Sequence, residues 1–424
     1  MYEKAKKPFQ RMLSFLFMFS SAAFVSAGNV EVLHFWTSGG EAAAINVLKQ
    51  MTEQSGDQWI DFIVTGGSGV QARSELSHRI LLRKPPTASV LKSQSIKRWA
   101  RFGYLANLDD IAEKENWDDK LPAVIADEMK YKNHYIATPV NVHRSNWMWA
   151  NKAILDKVGV KVPTTWAEFE VAAQKIQDAG YQVIAQGNES WQDATLFEAV
   201  VLAVGGPKFY LQAFVENDSA ALRSDTMQQA FAQMDRLIPF LATNNVSESW
   251  DAATGRVING NAAFQFMGDW AKGEFKLANK KPGIDYICAP TPGTDGSFIY
   301  VVDSFAMFDL NGASETKAQK TLASNIMSER FQVAFNKAKG SIPARTDISL
   351  DDFDLCARNS KQDFLEASRN HTLLPSIAHG MATSETVLDQ VSPSIAKSWR
   401  SDITPAQASN DLWKAIRYGL YVMN

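Results

Sequence analysis

A strand that becomes a helix within a few residues sets the terms for what this chain can fold into. Val30 to Phe35 sets Val30 and Val32 against Glu31, an alternation that predicts a β-strand. Ala42 to Met51 carries Ile45, Leu48 and Met51 at helical spacing and predicts an amphipathic helix. The join is His34-Phe35-Trp36-Thr37-Ser38-Gly39-Gly40-Glu41, which puts an indole, two hydroxyls and a carboxylate at the carboxyl end of a strand. Ligands of open α/β sheets bind at that place. An indole beside hydroxyls and a carboxylate suits a polar molecule with one apolar face, such as a sugar. A core Trp36 and a Glu41 favoured by the helix dipole would produce the same string.

The alternation continues. Trp59 to Thr65 and Thr87 to Leu91 read as strands, and a helix runs on to Phe102, so strand and helix repeat three times and imply a parallel sheet. Gly67-Ser68-Gly69-Val70-Gln71-Ala72 matches G-x-G-x-x-A. A dinucleotide site also needs an acidic residue about 20 residues further on, and Pro85 to Val90 contains none. The dinucleotide reading is rejected, and no cofactor is expected. Tyr135 to Arg144 is extended but contains Pro139, which suits a crossover between lobes better than a central strand. A second α/β unit follows. Thr164 or Thr165 caps a helix with Glu168 as its partner, Tyr181 to Gln186 is a strand, and a helix from Trp191 to Val204 stops at Gly205-Gly206-Pro207. Gly260 to Phe266 reads as a buried strand ending at Asp269-Trp270, and Ile299 to Val302 as a strand followed at once by Asp303. The last third is mainly helical.

With 424 residues, the chain has room for two or three domains at roughly 100–200 residues each. A net charge of −3 lacks the strongly basic footprint of a nucleic-acid binder, and no nucleic-acid partner is expected. Lys4, Lys6, Lys7 and Arg11 precede the apolar run Met12 to Val25, and Val25-Ser26-Ala27 fits a cleavage site, so residues 1–27 read as a signal peptide. The run is shorter than the ~20 apolar residues of a membrane span, and no later stretch is expected to reach that length. No cysteine lies near the cleavage point, so a soluble exported protein without a lipid anchor is expected. Cys288 and Cys356 permit one disulfide, with two separately buried thiols as the alternative; export favours the bridge. Neither has a neighbour at metal-ligand spacing, and no metal site is expected.

Eight segments in order, HFWTSGGE, PVNVHRSNWMWAN, VPTTWAEF, WQDATLFE, MGDWAKGEF, PTPGTDGSF, VDSFAMF and KGSIPARTD, give the chain a family resemblance. It resembles the extracellular solute-binding proteins of ABC sugar importers, most of all the periplasmic glucose/mannose-binding proteins. The resemblance implies an α/β fold of two lobes, each a mainly parallel sheet flanked by helices, with the ligand in the cleft between them. On that pattern the N-terminal lobe takes residues 28–140 and 303–345, and the C-terminal lobe 141–302 and 346–424. The implied sugar contacts are stacking on Trp36 and closure by Trp270, acceptors at Glu41 and Asp303, donors at Lys92 and Lys339, and His379 in either role. Phe35 stands where close relatives often have a second tryptophan. Trp191, Gln192 and Trp250 are further cleft candidates, while His34 and His143 read as structural.

The expected function is capture of a monosaccharide, glucose first and mannose or galactose next, by hinge closure and delivery to a membrane ABC permease. A periplasmic monomer is expected, and a chemoreceptor is a compatible further partner. The chain carries no P-loop, so ATP would act on the permease's own partner subunits. The rival reading is a secreted glycosidase using Glu41 and Asp303 as its carboxylate pair.

Overall fold

In a computed structural model of the protein, which describes residue 1 and residues 27–65, 69–241 and 248–423, the N-terminal alternation builds a five-stranded sheet. The remainder of the expected signal peptide, and Gly66, Gly67 and Ser68 of the glycine-rich motif, lie outside the described residues. The first sheet has the order Gln58–Ile63, Asn29–His34, Ala88–Leu91, Ser304–Met307, Ala137–Pro139. Its first three strands run parallel, as the alternation implies; Ser304–Met307 returns antiparallel between Ala88–Leu91 and Ala137–Pro139. The helix after the first strand spans Gly39–Gln54, starting earlier than Ala42 because Ser38 caps it. Ser38 Oγ accepts the Glu41 N–H at 3.3 Å, and Glu41 Oε2 accepts the Ser38 N–H at 3.2 Å, a reciprocal cap.

The second sheet has the order Tyr286–Pro290, Trp147–Asn151, Ala262–Phe266, Gln182–Ile184. The two-lobed α/β expectation holds, but this sheet is more mixed than a mainly parallel one. Trp147–Asn151 enters from a crossover rather than from a βαβ unit and runs antiparallel to both neighbours, leaving Ala262–Phe266 with Gln182–Ile184 as the parallel pair.

Between the two lies a three-stranded sheet of Leu373–Pro375, Phe298–Val301 and His143–Arg144. Each strand carries the chain across. His143–Arg144 leads from the first sheet to the second, and Phe298–Val301 leads back. Leu373–Pro375 joins the helix Leu355–Arg369 to the helix Glu385–Trp399 of the second core.

One apolar core surrounds the first sheet and includes Val32, Leu48, Leu76, Ile96, Phe305 and Phe335. A second gathers Phe169, Phe197, Phe231, Phe264, Ile395 and Leu412. A smaller cluster of Trp147, Trp149, Trp270, Phe275 and Tyr286 lies around the second sheet's other face. The helix Leu355–Arg369, expected in the C-terminal lobe, straddles the division. Its buried Ala357, Phe364 and Ala367 join the first core, while Cys356 is disulfide-bonded to Cys288 of the second sheet.

The helix Ser190–Phe214 has 25 residues and is apolar enough to cross a membrane, contrary to the expectation that no later stretch would be. Its residues from Trp191 to Leu202 are instead buried in the protein. It breaks where Gly205-Gly206-Pro207 predicts: Gly206 has φ 75° and ψ 174°, and Pro207 starts the next helical turn.

Candidate functional site

Five strand ends and two helix ends converge between the lobes on a cleft of about 390 Å³. Phe35, Trp36 and Glu41 reach it from the first strand-to-helix turn, and Lys92 from the end of Ala88–Leu91. Asp303 stands between Phe298–Val301 and Ser304–Met307, and Lys339 closes the helix Glu329–Lys339. Trp270 follows Ala262–Phe266, and His379 follows Leu373–Pro375. All the site residues expected from the sequence therefore line one cavity, and so do Trp191 and Trp250. Gln192 does not; it is buried and donates to Glu189 Oε2 at 3.1 Å.

His143 corrects the sequence reading. Read as structural, it lines the cleft and joins the lining acid Asp303 to Asp269, which does not line it. Its Nε2 is 3.2 Å from Asp303 Oδ2, and its Nδ1 is hydrogen-bonded to Asp269 Oδ1. A polar His-Arg pair inside an extended crossover was the available signal. Thr37, Ser38, Glu189, Ser249, Asp251 and Val301 complete the lining. Glu189 and Ser249 stand at the N-caps of helices whose starts the sequence marks, though nothing there aims them at a ligand.

The charges interlock. Lys92 Nζ lies 3.4 Å from Asp303 Oδ1, and Asn141 holds the same residue by accepting its N–H at 3.0 Å and donating to Oδ2 at 3.2 Å. Burial pushes the Asp303 carboxyl up, but Lys92, His143 and Lys339 outweigh it and hold it well below the usual carboxylate range. Burial also opposes charge on His143, yet Asp269 and Asp303 prevail and raise its pKa. For His379, burial dominates and neighbouring Lys92 and His143 add to it, so the ring is held neutral. A neutral imidazole offers one donor and one acceptor; its Nε2 is 3.0 Å from Thr195 Oγ1.

Glu41 has less freedom than its expected role implies. Its Oε1 accepts from Lys339 Nζ at 2.8 Å, and its Oε2 accepts the Thr37 and Ser38 N–H groups at 3.1 and 3.2 Å. A carboxylate still has lone-pair directions to spare, but its position is set by the helix cap.

The aromatic walls have two origins. Trp36 packs at 5.7 Å from Phe305 and 5.6 Å from Phe335, with Lys339 Nζ 5.3 Å from its ring centre. Trp270 meets His379 edge-on at 4.9 Å, His143 at 5.4 Å and Trp191 at 6.4 Å. Phe35 explains part of the glycine-rich motif: a Cβ on Gly69, at φ +79°, would stand 2.7 Å from its ring. The motif's glycine thus admits Phe35 and opens a helix, without a dinucleotide.

Two lobes crossed three times by the chain, with a charged, tryptophan-walled cavity between them, define a two-lobed binding protein. The chain belongs to the family described as bacterial extracellular solute-binding protein, whose profile matches residues 37–309. A relative from Rhizobium meliloti (strain 1021), named probable sugar-binding periplasmic protein, is 45% identical over 399 residues, covering 94% of this chain and 96% of that protein. One of the same name from Brucella suis biovar 1 (strain 1330) is 45% identical over 388 residues, covering 92% of each. Among solved structures, a chitin oligosaccharide binding protein superposes with a TM-score of 0.78 at 16% identity, covering 93% of this chain and 99% of that one, which is a likeness of fold.

Proposed function

We propose that this protein is exported to the periplasm, captures one sugar in the cleft by closing its lobes, and passes it unchanged to a membrane ABC permease. A monosaccharide is the proposed ligand, glucose first and mannose or galactose next, and the working form is a monomer. The observation that carries the reading is the cavity itself, where indoles and paired charges alternate around Asp303. Sugar C–H faces pack on indole, and hydroxyls find charged partners. Hydrogen bonds to charged groups contribute roughly 1.5–3 kcal/mol each, and micromolar affinity needs about −8 kcal/mol. Contacts to Asp303, Lys92 and Lys339 with stacking reach that sum. The names of the Rhizobium and Brucella relatives support a sugar ligand. The closed shape that engages the permease could equally be read by a chemoreceptor.

A glycosidase needs an acid with a raised pKa, whereas Asp303 is held well below the carboxylate range and Glu41 is committed to a helix cap and Lys339. The deciding test is calorimetric titration of ligand-freed protein with glucose, mannose, galactose and maltose. Micromolar or tighter binding of glucose with the sugar recovered intact is expected. Binding of none, or turnover of any, overturns the reading.

A further inference from the structure

Glu198 does not line the cleft, yet it gathers the segments that shape it. It lies in the helix Ser190–Phe214 with no solvent exposure. Its carboxylate accepts from Ser145 Oγ at 2.6 Å, Ser376 Oγ at 2.9 Å, the Ala378 N–H at 3.1 Å and the Tyr210 hydroxyl at 3.3 Å. None of these partners is a cation, so the buried carboxyl group is met by neutral donors alone. Losing one donor therefore leaves a costly unsatisfied oxygen.

Apart from Tyr210 of the same helix, the partners adjoin two of the three crossings. Ser145 directly follows His143–Arg144, and Ser376 directly follows Leu373–Pro375. From Ser376 the network reaches the cleft: its Oγ accepts the His379 N–H at 3.1 Å. Thr195, about one turn before Glu198 on the same helix, touches the His379 ring from the other end. One helix thus holds His379 by its backbone and by its imidazole.

We propose that Glu198 is a positioning residue for ligand binding: it fixes the His379 loop and the Ser145 crossing against one helix, and through them sets where His379 stands in the cleft. The link to affinity rests on the sugar-binding reading; the link to His379 geometry does not, and the test separates them. Above about pH 7, where Glu198 is ionised, Glu198→Gln keeps the shape but turns one acceptor oxygen into a donor that faces other donors. In ¹⁵N–¹H spectra of the histidine rings of the sugar-free protein, this variant should move the His379 signals while the exposed His78 and His134 stay in place. With glucose as probe, affinity should fall about tenfold, as for contacting residues of one network, and fall no further when Glu198→Gln is added to His379→Ala. His379 signals that do not move, or an equal loss of affinity in both backgrounds, overturn the proposal. If wild-type protein binds no glucose, the functional reading fails while the ring spectra still decide the role of Glu198. Should Glu198→Gln not fold, Ser376→Ala, which removes one hydroxyl, is expected to give the same pattern in the spectra.

Discussion

Trp36 is a cleft wall with 2% of its surface exposed, packed among Phe305 and Phe335 of the first core. Trp36→Ala should therefore lower stability by about 3–5 kcal/mol as well as sugar affinity, seen as a lower melting temperature alongside a weaker calorimetric isotherm. Asp303→Asn removes charge from a carboxylate whose Oδ1 faces Lys92 and whose Oδ2 faces His143. Affinity should fall by at least tenfold, the low end of ~1.5–3 kcal/mol for a charged hydrogen bond, and unchanged affinity would remove Asp303 from the site. Two buried acids set a stability signature. Burial raises Glu198 to about 7 and, against the pull of Arg400, Asp193 to about 6. Both hold protons that the unfolded chain sheds near its ordinary values of 4.5 and 3.8. Their contribution is full below those values and is lost as pH rises through 6 and 7. The melting temperature should fall between about pH 4 and 7, and less steeply in Glu198→Gln. At this scale the sequence was readable where an aromatic or acidic residue closes an apolar strand, as with Trp36, Trp270 and Asp303, whereas Lys92 by itself reads as a surface lysine and needed the family pattern. Choosing Lys339 over Lys337 needed the family pattern, because both have the same chemistry. His143 was missed because its two carboxylate partners lie 126 and 160 residues away in sequence, where local pattern carries no information.

Elements were legible where one residue type has one physical use. Gly206 stands at φ 75° and ψ 174° with open space around it, so strain alone excludes a side chain there. Gly206→Ala should cost about 1–3 kcal/mol, measured by denaturant unfolding, with sugar affinity retained. The capping box with Glu168 formed on Thr165, one of the two threonines read as its cap, whereas the equivalent one at Ser38 and Glu41 was present in the string S-G-G-E and went unread, which placed the helix start too late. Strand direction was less legible. A crossover strand such as Trp147–Asn151 has the same composition whichever way it runs, and only its pairing with Ala262–Phe266 and Tyr286–Pro290 decides it. The Cys288–Cys356 bridge spans 68 residues and ties the straddling helix Leu355–Arg369 to the second sheet. Reduction should lower stability by about 2–4 kcal/mol, read as a drop in melting temperature on adding dithiothreitol.

Across the whole molecule, the lobes meet on two flanks of the cleft. On one, Arg73 lies 2.7 Å from Asp389 and 3.4 Å from Glu385, with Arg98 3.3 Å from Glu385. On the other, the Gly40 N–H donates to Glu274 Oε1 at 2.8 Å, and a Cβ on Gly40 would stand 2.9 Å from the Gly273 Cα. The pair of Arg98 with Glu385, whose arginine is half exposed, contributes only about 0.2–1 kcal/mol and is screened by salt. Arg98→Ala should therefore speed sugar release by no more than a few-fold in stopped-flow fluorescence, and high salt should mimic it. The three crossing strands lie side by side in one hydrogen-bonded sheet rather than as separate tethers. A body hung from a single cord can swing, twist and slide; one hung from three strands bonded edge to edge keeps one easy degree of freedom. Under the proposed lobe closure, filling the cleft selects between two fixed silhouettes of the same molecule, and the difference between them is what would carry the message that a sugar is aboard.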